Sequence, residues 1–286
     1  MDTGNEILMA IGKIHLNVSH LERATLFFEE ALGMKTIQTD ALFVTLGTQS
    51  DQPLLVLHRV NNPPPRKKTT GLFHVAIRLP EREELARLIY HLVNNQVDLE
   101  GIADHGVSEA VYLTGPDEIG IELTCDRAIE DWPFDEEGHL DMGTDELDLD
   151  NLMLTLQGKA KPWQGMPAST TIGHIHLRVA ELNKTADFYE KLGFELTQEY
   201  GEEALFFASG EYHHQIGANI WQSADAAPLP PDTAGLRHFE IVFPDQAALT
   251  QKINQLQGLG LNPEATPEGA LLRDPNGIAI LLLPPS

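Results

Sequence analysis

Imidazoles and carboxylates recur at matched places along this chain. Histidines stand in four related strand-like segments: Gly12-Lys13-Ile14-His15-Leu16, Leu72-Phe73-His74-Val75-Ala76, Gly173-His174-Ile175-His176-Leu177 and Leu236-Arg237-His238-Phe239-Glu240. A glutamate sits in the apolar run Gly120-Ile121-Glu122-Leu123, and a histidine pair opens Tyr212-His213-His214-Gln215-Ile216-Gly217. His105 and Tyr112 lie upstream of Glu122, in Asp104-His105-Gly106 and Ala110-Val111-Tyr112. Imidazole and carboxylate are ligands for divalent metals, and an imidazole near neutral pH can also move protons. Taken singly, each residue has a plainer reading. A histidine opening a strand is ordinarily hydrogen-bonded within the fold, and a lone histidine pair is ordinarily a solvated turn. What separates the readings is how the four segments combine, because the metal-capable residues do not repeat as faithfully as the strands do.

The elements that must position them repeat four times, and a repeat fixes architecture before any single residue does. Ile14, Leu16 and Val18 alternate with polar positions, as a half-buried strand requires. The next stretch, Leu21 to Gly33, changes to helical spacing and stops at glycine, and Leu182 to Gly193 repeats it with one residue fewer. Leu85, Leu88 and Leu92, and Leu249, Ile253 and Leu256, mark the corresponding helices of the other two units. Runs such as Ala204–Ala208 and Ile216–Trp221 read as the strands that follow. The unit is therefore strand, helix and about three strands, an α+β design of four βαβββ modules. One unit alone leaves an apolar sheet face uncovered, so two must join into a curved, barrel-like sheet around a cleft.

Boundaries follow from composition. Modules span 7–60 and 71–126, then 171–223 and 234–284, with proline breaks at Asn61-Asn62-Pro63-Pro64-Pro65 and Pro228-Leu229-Pro230-Pro231. Between the two pairs lies an acidic connector, 127–170, in which Leu147, Leu149, Leu152 and Leu154 could form a short helix across a surface. The net charge of −24 argues against nucleic acid and anionic membranes as partners. A single cysteine excludes a disulfide framework and a thiolate cluster. No apolar run reaches membrane-spanning length, and the first residues show no basic segment leading into an apolar one. A reducing cytoplasm is the expected location, and a homo-oligomer is compatible with everything read so far.

The pattern His-x-x-Leu-x-Val, then Leu-x-x-Ala-x-x-Phe-Phe/Tyr, then a leucine-glycine stop resembles the vicinal oxygen chelate superfamily. That group contains glyoxalase I, bleomycin and fosfomycin resistance proteins and extradiol ring-cleaving dioxygenases. The resemblance covers all four units, and four units in one chain is the arrangement of a catechol 2,3-dioxygenase. It implies a metal at the mouth of a barrel, with ligands from the first strands of two partnered units and from one last strand. Those positions hold Lys13, His74, His174 and His238, with Glu122 and Leu281 on the last strands. Pairing neighbours gives Lys13/His74/Glu122 and His174/His238/Leu281, neither competent. Pairing modules 2 with 3 and 1 with 4, as some ring-cleaving members do, gives His74/Glu122/His174 and Lys13/His238/Leu281. Only the first is a two-histidine, one-carboxylate face, the set associated with non-haem Fe(II).

The same resemblance makes His214 the catalytic acid–base and Tyr112 a catalytic partner beside the metal-bound substrate oxygen. His105 and His213 are assigned to substrate binding, His213 more as a structural neighbour of His214. The implied activity is oxidative opening of a catechol-type ring next to its two hydroxyls, with a small aromatic diol and O2 as substrates. Fe(II) is the implied cofactor, and Mn(II) would be held by the same ligands. Another metalloenzyme of the superfamily, glyoxalase-like, or a non-catalytic protein that binds small aromatics, stays open. One departure is plain: the turn before Glu122 reads Pro116-Asp117-Glu118, where the family pattern, kept as Asp274-Pro275-Asn276-Gly277 in the fourth unit, ends in glycine. His15 and His176 share the ligand face two residues on, Cys125 is expected to be buried, and Trp132, Trp163 or Trp221 could cover the cleft.

Overall fold

The computed structural model describes residues 8–61, 63–64, 68–157 and 162–285. Asn62 and Pro65 of the first proline break, and the N-terminal segment read for a signal, lie outside the described residues. The first unit holds β1 (Ala10–Val18), α1 (Leu21–Glu30), β2 (Lys35–Thr39), β3 (Phe43–Gly47) and β4 (Pro53–Arg59). The second holds β5 (Gly71–Arg78), α2 (Arg82–Asn94), β6 (Gly101–Asp104), β7 (Ser108–Gly115) and β8 (Ile119–Asp126). After the connector helix α3 (Leu149–Leu154) come β9 (Thr171–Arg178), α4 (Leu182–Leu192), β10 (Glu195–Tyr200), β11 (Ala204–Ala208) and β12 (Ile216–Asn219). The last unit holds β13 (Gly235–Val242), α5 (Gln246–Gly258), β14 (Glu264–Ala265), β15 (Ala270–Arg273) and β16 (Ala279–Leu283).

Within every unit the first strand runs parallel to the last, because the helix carries the chain back across the sheet. Each unit therefore leaves its first strand as an open edge. These edges close on each other in two antiparallel seams, β5 with β9 and β1 with β13. The result is two curved eight-stranded sheets. The inner one is ordered β10-β11-β12-β9-β5-β8-β7-β6 and the outer one β14-β15-β16-β13-β1-β4-β3-β2. The inner and outer pairing expected from the ligand arithmetic is the one found.

Helices lie over the sheets as their apolar spacing demands. Ala24 and Phe28 on α1, Leu85, Leu88 and Leu92 on α2, and Phe188, Tyr189 and Leu192 on α4 are buried in one continuous core that spans both sheets. The glycine stop of α4 is real: Gly193 adopts φ +107° and donates its N–H to the Tyr189 carbonyl, a left-handed cap that a side chain would strain. The connector contributes α3, where Leu152 is buried against α2 while Leu149 and Leu154 face solvent. Among the described residues no helix is long and apolar enough to cross a membrane.

Candidate metal centre

The β5–β9 seam sets the site. Ala76 on β5 pairs with His174 on β9, and His74 pairs with His176, so both ligand candidates stand on the same face of adjacent strands. β8 then runs beside β5 with Glu122 level with Ala76. That close approach depends on Gly120, where a Cβ would fall 2.2 Å from the Phe73 carbonyl oxygen. The preceding turn does without the family's glycine, and Asp117 and Glu118 adopt φ +58° and +57° themselves. Each left-handed non-glycine residue costs on the order of 1–2 kcal/mol. The Asp117 carboxylate offsets part of this by accepting the Ser19 amide at 2.9 Å, which ties the ligand turn to the end of β1.

The three side chains converge. Glu122 Oε2 lies 3.0 Å from His74 Nε2 and 3.1 Å from His174 Nε2, and the two nitrogens are 3.3 Å apart. All three residues are buried, at 8%, 2% and 4% exposure for His74, Glu122 and His174. Two imidazole nitrogens and a carboxylate oxygen turned to one point in a dry environment call for a shared cation. Burial alone would raise the Glu122 carboxyl, but the adjacent His174 and His74 outweigh it and hold it ionised, well below the usual carboxylate range. Burial keeps His174 neutral, with its pKa below the ordinary value, which is the form a metal needs. The donor set therefore fits a divalent metal; among the described residues, one other group, the exposed Asp135, Glu137 and His139, has comparable spacing.

A cavity of about 320 Å³ opens onto the three ligands. Its apolar wall includes Phe73, Val107, Met142, Phe206 and Trp221, and among the described residues no lysine or arginine lines it. His214 stands at 7% exposure with its ring centroid 4.2 Å from that of His174. Burial, then the charge of neighbouring imidazoles, pushes its pKa well below the ordinary value, so its ring is neutral. Tyr112 faces Glu122 across the β7–β8 pair. Burial and the Glu122 carboxylate push its phenol well above the usual range, which keeps the O–H in place. His105, read from sequence as a pocket residue, does line the cavity. Its Nδ1 donates to the Gly143 carbonyl at 2.8 Å, so its Nε2 accepts the Tyr112 hydroxyl at 2.6 Å. The connector thus supplies Met142, Gly143 and Thr144 to the wall.

His213 is placed differently from the substrate-binding role read for it. It is 1% exposed and sits behind His214, off the cavity wall, because Asp126 takes its Nε2 and the rings of Tyr212 and Trp132 pack on it. His176 accepts the Asn219 side-chain amide at 3.0 Å and packs under Phe73 and Trp221. Of the tryptophans, Trp221 lines the cavity, Trp132 backs His213, and Trp163 lies at the Gly33 turn instead. Cys125 is buried, and burial pushes its thiol up to about 12. Asp126 is a further residue of the site: a period of two from Glu122 through Thr124 puts it on the ligand face of β8, a signal the sequence already carries.

The family model for the glyoxalase/bleomycin resistance protein/dioxygenase superfamily matches residues 10–123 and 171–282, the four modules without the connector. The chain belongs to that superfamily. A catechol-2,3-dioxygenase of Bacillus subtilis (strain 168) is 35% identical over 271 residues, covering 93% of each chain. Among solved structures, a putative dioxygenase from Bacillus subtilis subsp. subtilis str. 168 superposes with a TM-score of 0.64 at 13% identity, over 97% of this chain and 85% of that one. Glyoxalase I from Zea mays gives 0.57 at 16% identity, over 99% and 95%. These structural likenesses show the fold alone.

Proposed function

We propose that the protein is a metal-dependent extradiol dioxygenase, opening a catechol-type ring with O2 beside its two hydroxyls. Fe(II) is the metal we assign to His74, Glu122 and His174; Mn(II) suits the same donors. One observation carries the reading: among the described residues three donors, His74, Glu122 and His174, converge at an apolar cavity that also presents a neutral imidazole and a phenol. Such a face leaves room for both oxygens of a diol and for dioxygen. The name borne by the 35% identical relative supports the same chemistry.

When bound, the metal would supply Lewis acidity and a path for electrons between ring and oxygen. The chain's own groups then have separable tasks. Phe73, Phe206 and Trp221 hold the ring and exclude water, and the wall formed by the described residues, which holds no lysine or arginine, suits an uncharged diol. Tyr112, braced by His105, holds a substrate oxygen next to Glu122. The neutral His214 takes a hydroxyl proton and returns it as the ring opens. Protein reconstituted anaerobically with Fe(II) is expected to consume O2 with catechol and to form a yellow ring-opened product. Iron-loaded protein that binds catechol but takes up no oxygen would turn the reading toward a glyoxalase-like enzyme or a binding protein.

A further inference from the structure

An open sheet has two edge strands, and in the inner sheet these are β10 and β6. The connector after β8 is tied to both. On the β10 side the Gln198 amide clasps Met142: Oε1 accepts the Met142 N–H at 3.0 Å and Nε2 donates to the Met142 carbonyl at 3.0 Å. On the β6 side Asp145 exchanges backbone hydrogen bonds with Asp104 at 2.8 and 3.0 Å, and the Gly143 N–H reaches the His105 carbonyl at 3.3 Å. Residues 142–145 thus strap the open ends of the sheet together. We propose that this strap selects substrates by their ring substituents, and that Met142 is the side chain those substituents meet.

Topology sets the direction. His74, Glu122 and His174 stand on β5, β8 and β9, in the middle of the same sheet. A curved sheet turns its edges up around its central strands, so a segment bonded to both edges lies across the cavity from the three donors. The ligand rests on the dioxygenase reading: a diol held at the donors by its two oxygens points its far ring carbons away from them. Those carbons, with whatever they carry, approach the strap. Met142, Gly143 and Thr144 all line the cavity there. Thr144 is exposed, and Gly143 brings backbone without a side chain, which leaves Met142 to close the space.

Packing makes this wall a fixed one. Met142 is 7% exposed and forms an apolar cluster with Val107 and Trp132, which Phe206 joins from β11. Behind the strap the connector folds back on itself, with Phe134 bridged to Leu140 and the Asp141 N–H on the Pro133 carbonyl at 3.1 Å. The strap lies between the stretches matched by the family model, 10–123 and 171–282. The modules therefore supply the donors, and a segment peculiar to the connector supplies the surface a substituent is measured against. An unbranched methionine fills such a gap closely, and its replacement changes the depth of the cavity without disturbing the donors. Gln198 does not line the cavity, so its route to a bound ring runs through Met142.

The test is anaerobic calorimetry on the full chain loaded with Fe(II), titrated with catechol and with 4-tert-butylcatechol, so that binding is read without turnover. Met142→Ala should favour the bulky diol over catechol by about tenfold relative to wild type, and leave the Kd for catechol within about threefold. Met142→Phe should move the ratio of the two Kd values the other way. Gln198→Leu, which releases one end of the strap, should move it in the same direction as Met142→Ala, by less. A ratio unmoved by both Met142 variants, with catechol still bound, overturns the proposal and leaves the dioxygenase reading standing. Equal losses for both diols in the strap variants would show that the strap supports the fold without selecting, which also overturns it. Wild type that binds no catechol overturns both readings.

Discussion

The inner and outer sheets share one plan, yet among the described residues only the inner one gathers a metal-ligand set. In the inner sheet Ala76 lies level with Glu122 in the parallel β5–β8 register; in the outer sheet Glu240 lies level with Leu281 in the β13–β16 register. The carboxylate has moved one strand sideways. There its Oε1 meets Lys13 Nζ at 3.2 Å and His15 Nε2 at 3.1 Å. Lys13 stands where the inner sheet has His174, so a tethered ammonium neutralises the outer carboxylate where a metal would serve the inner one. The histidines around it are stacked and not convergent: His15 lies 3.9 Å from His238 and 5.3 Å from His58, centroid to centroid. Even the support is parallel, with His58 bonded to His15 at 3.0 Å where Asn219 bonds His176 at 3.0 Å. The lesson is that the fold supplies strand positions, and the identity of one cation decides between a metal centre and an internal salt bridge.

Breaking the inner side should have the largest effect. Glu122→Ala leaves two imidazoles and is expected to abolish iron retention, read by metal analysis after anaerobic loading and desalting. Glu240→Ala should leave the iron content at the wild-type level. Next comes His214→Phe, expected to lower kcat by about 10²–10⁴ while iron and catechol still bind. The matching change outside, His238→Phe, should leave turnover unchanged; a comparable loss there would show that the outer barrel takes part in the reaction.

A gain-of-function swap sharpens the comparison further. Lys13→His with Leu281→Glu and Glu240→Ala rebuilds the inner pattern of donors in the outer sheet. The triple variant is expected to bind a second equivalent of Zn(II), and saturation at about a hundredfold over Kd should add about 2.7 kcal/mol of stability. Leu281→Glu alone should not, because the Lys13 ammonium still occupies the approach.

Much of this was readable beforehand, for physical reasons that also mark where reading stopped. The set His74, Glu122 and His174 was expected because the family resemblance implies ligands on two first strands and one last strand, and of the two pairings weighed only the inner and outer one fills those positions. His58 and Glu240 were not legible as partners of His15, since β13 meets β1 only across the seam, β4 meets it only after the chain has crossed the unit, and the stacking of rings has no sequence spacing. Of the histidine pair, His214 lines the cavity, while Asp126 and the rings of Tyr212 and Trp132 hold His213 behind it, contacts between distant segments that spacing along the chain does not show. The connector could not be read as a cavity wall either, because Met142 and Gly143 are held there by long-range bonds to Gln198 and His105 that no local pattern announces.

The smallest effect concerns acid. Burial, with Arg237 and His15 nearby, lowers His58 to about 4, and burial with His15 lowers His238 to about 3, from an ordinary value of 6.5. Between about 6.5 and those folded values the unfolded chain takes up protons that the folded outer barrel refuses, so stability falls as pH falls. Glu240 adds to the same trend lower down. Its burial would raise the carboxyl, but His15 and Lys13 hold it below its usual value of 4.5, and that stabilisation is lost once acid reaches the folded pKa. Melting temperature should therefore decline from pH 6.5 toward 4. His238→Phe keeps a ring stacked on His15 and removes one proton-binding site, so its decline should be shallower, with the two proteins converging near neutral pH. Parallel declines would place the acid sensitivity in the inner imidazoles, His174, His176 and His214, whose pKa values burial also lowers.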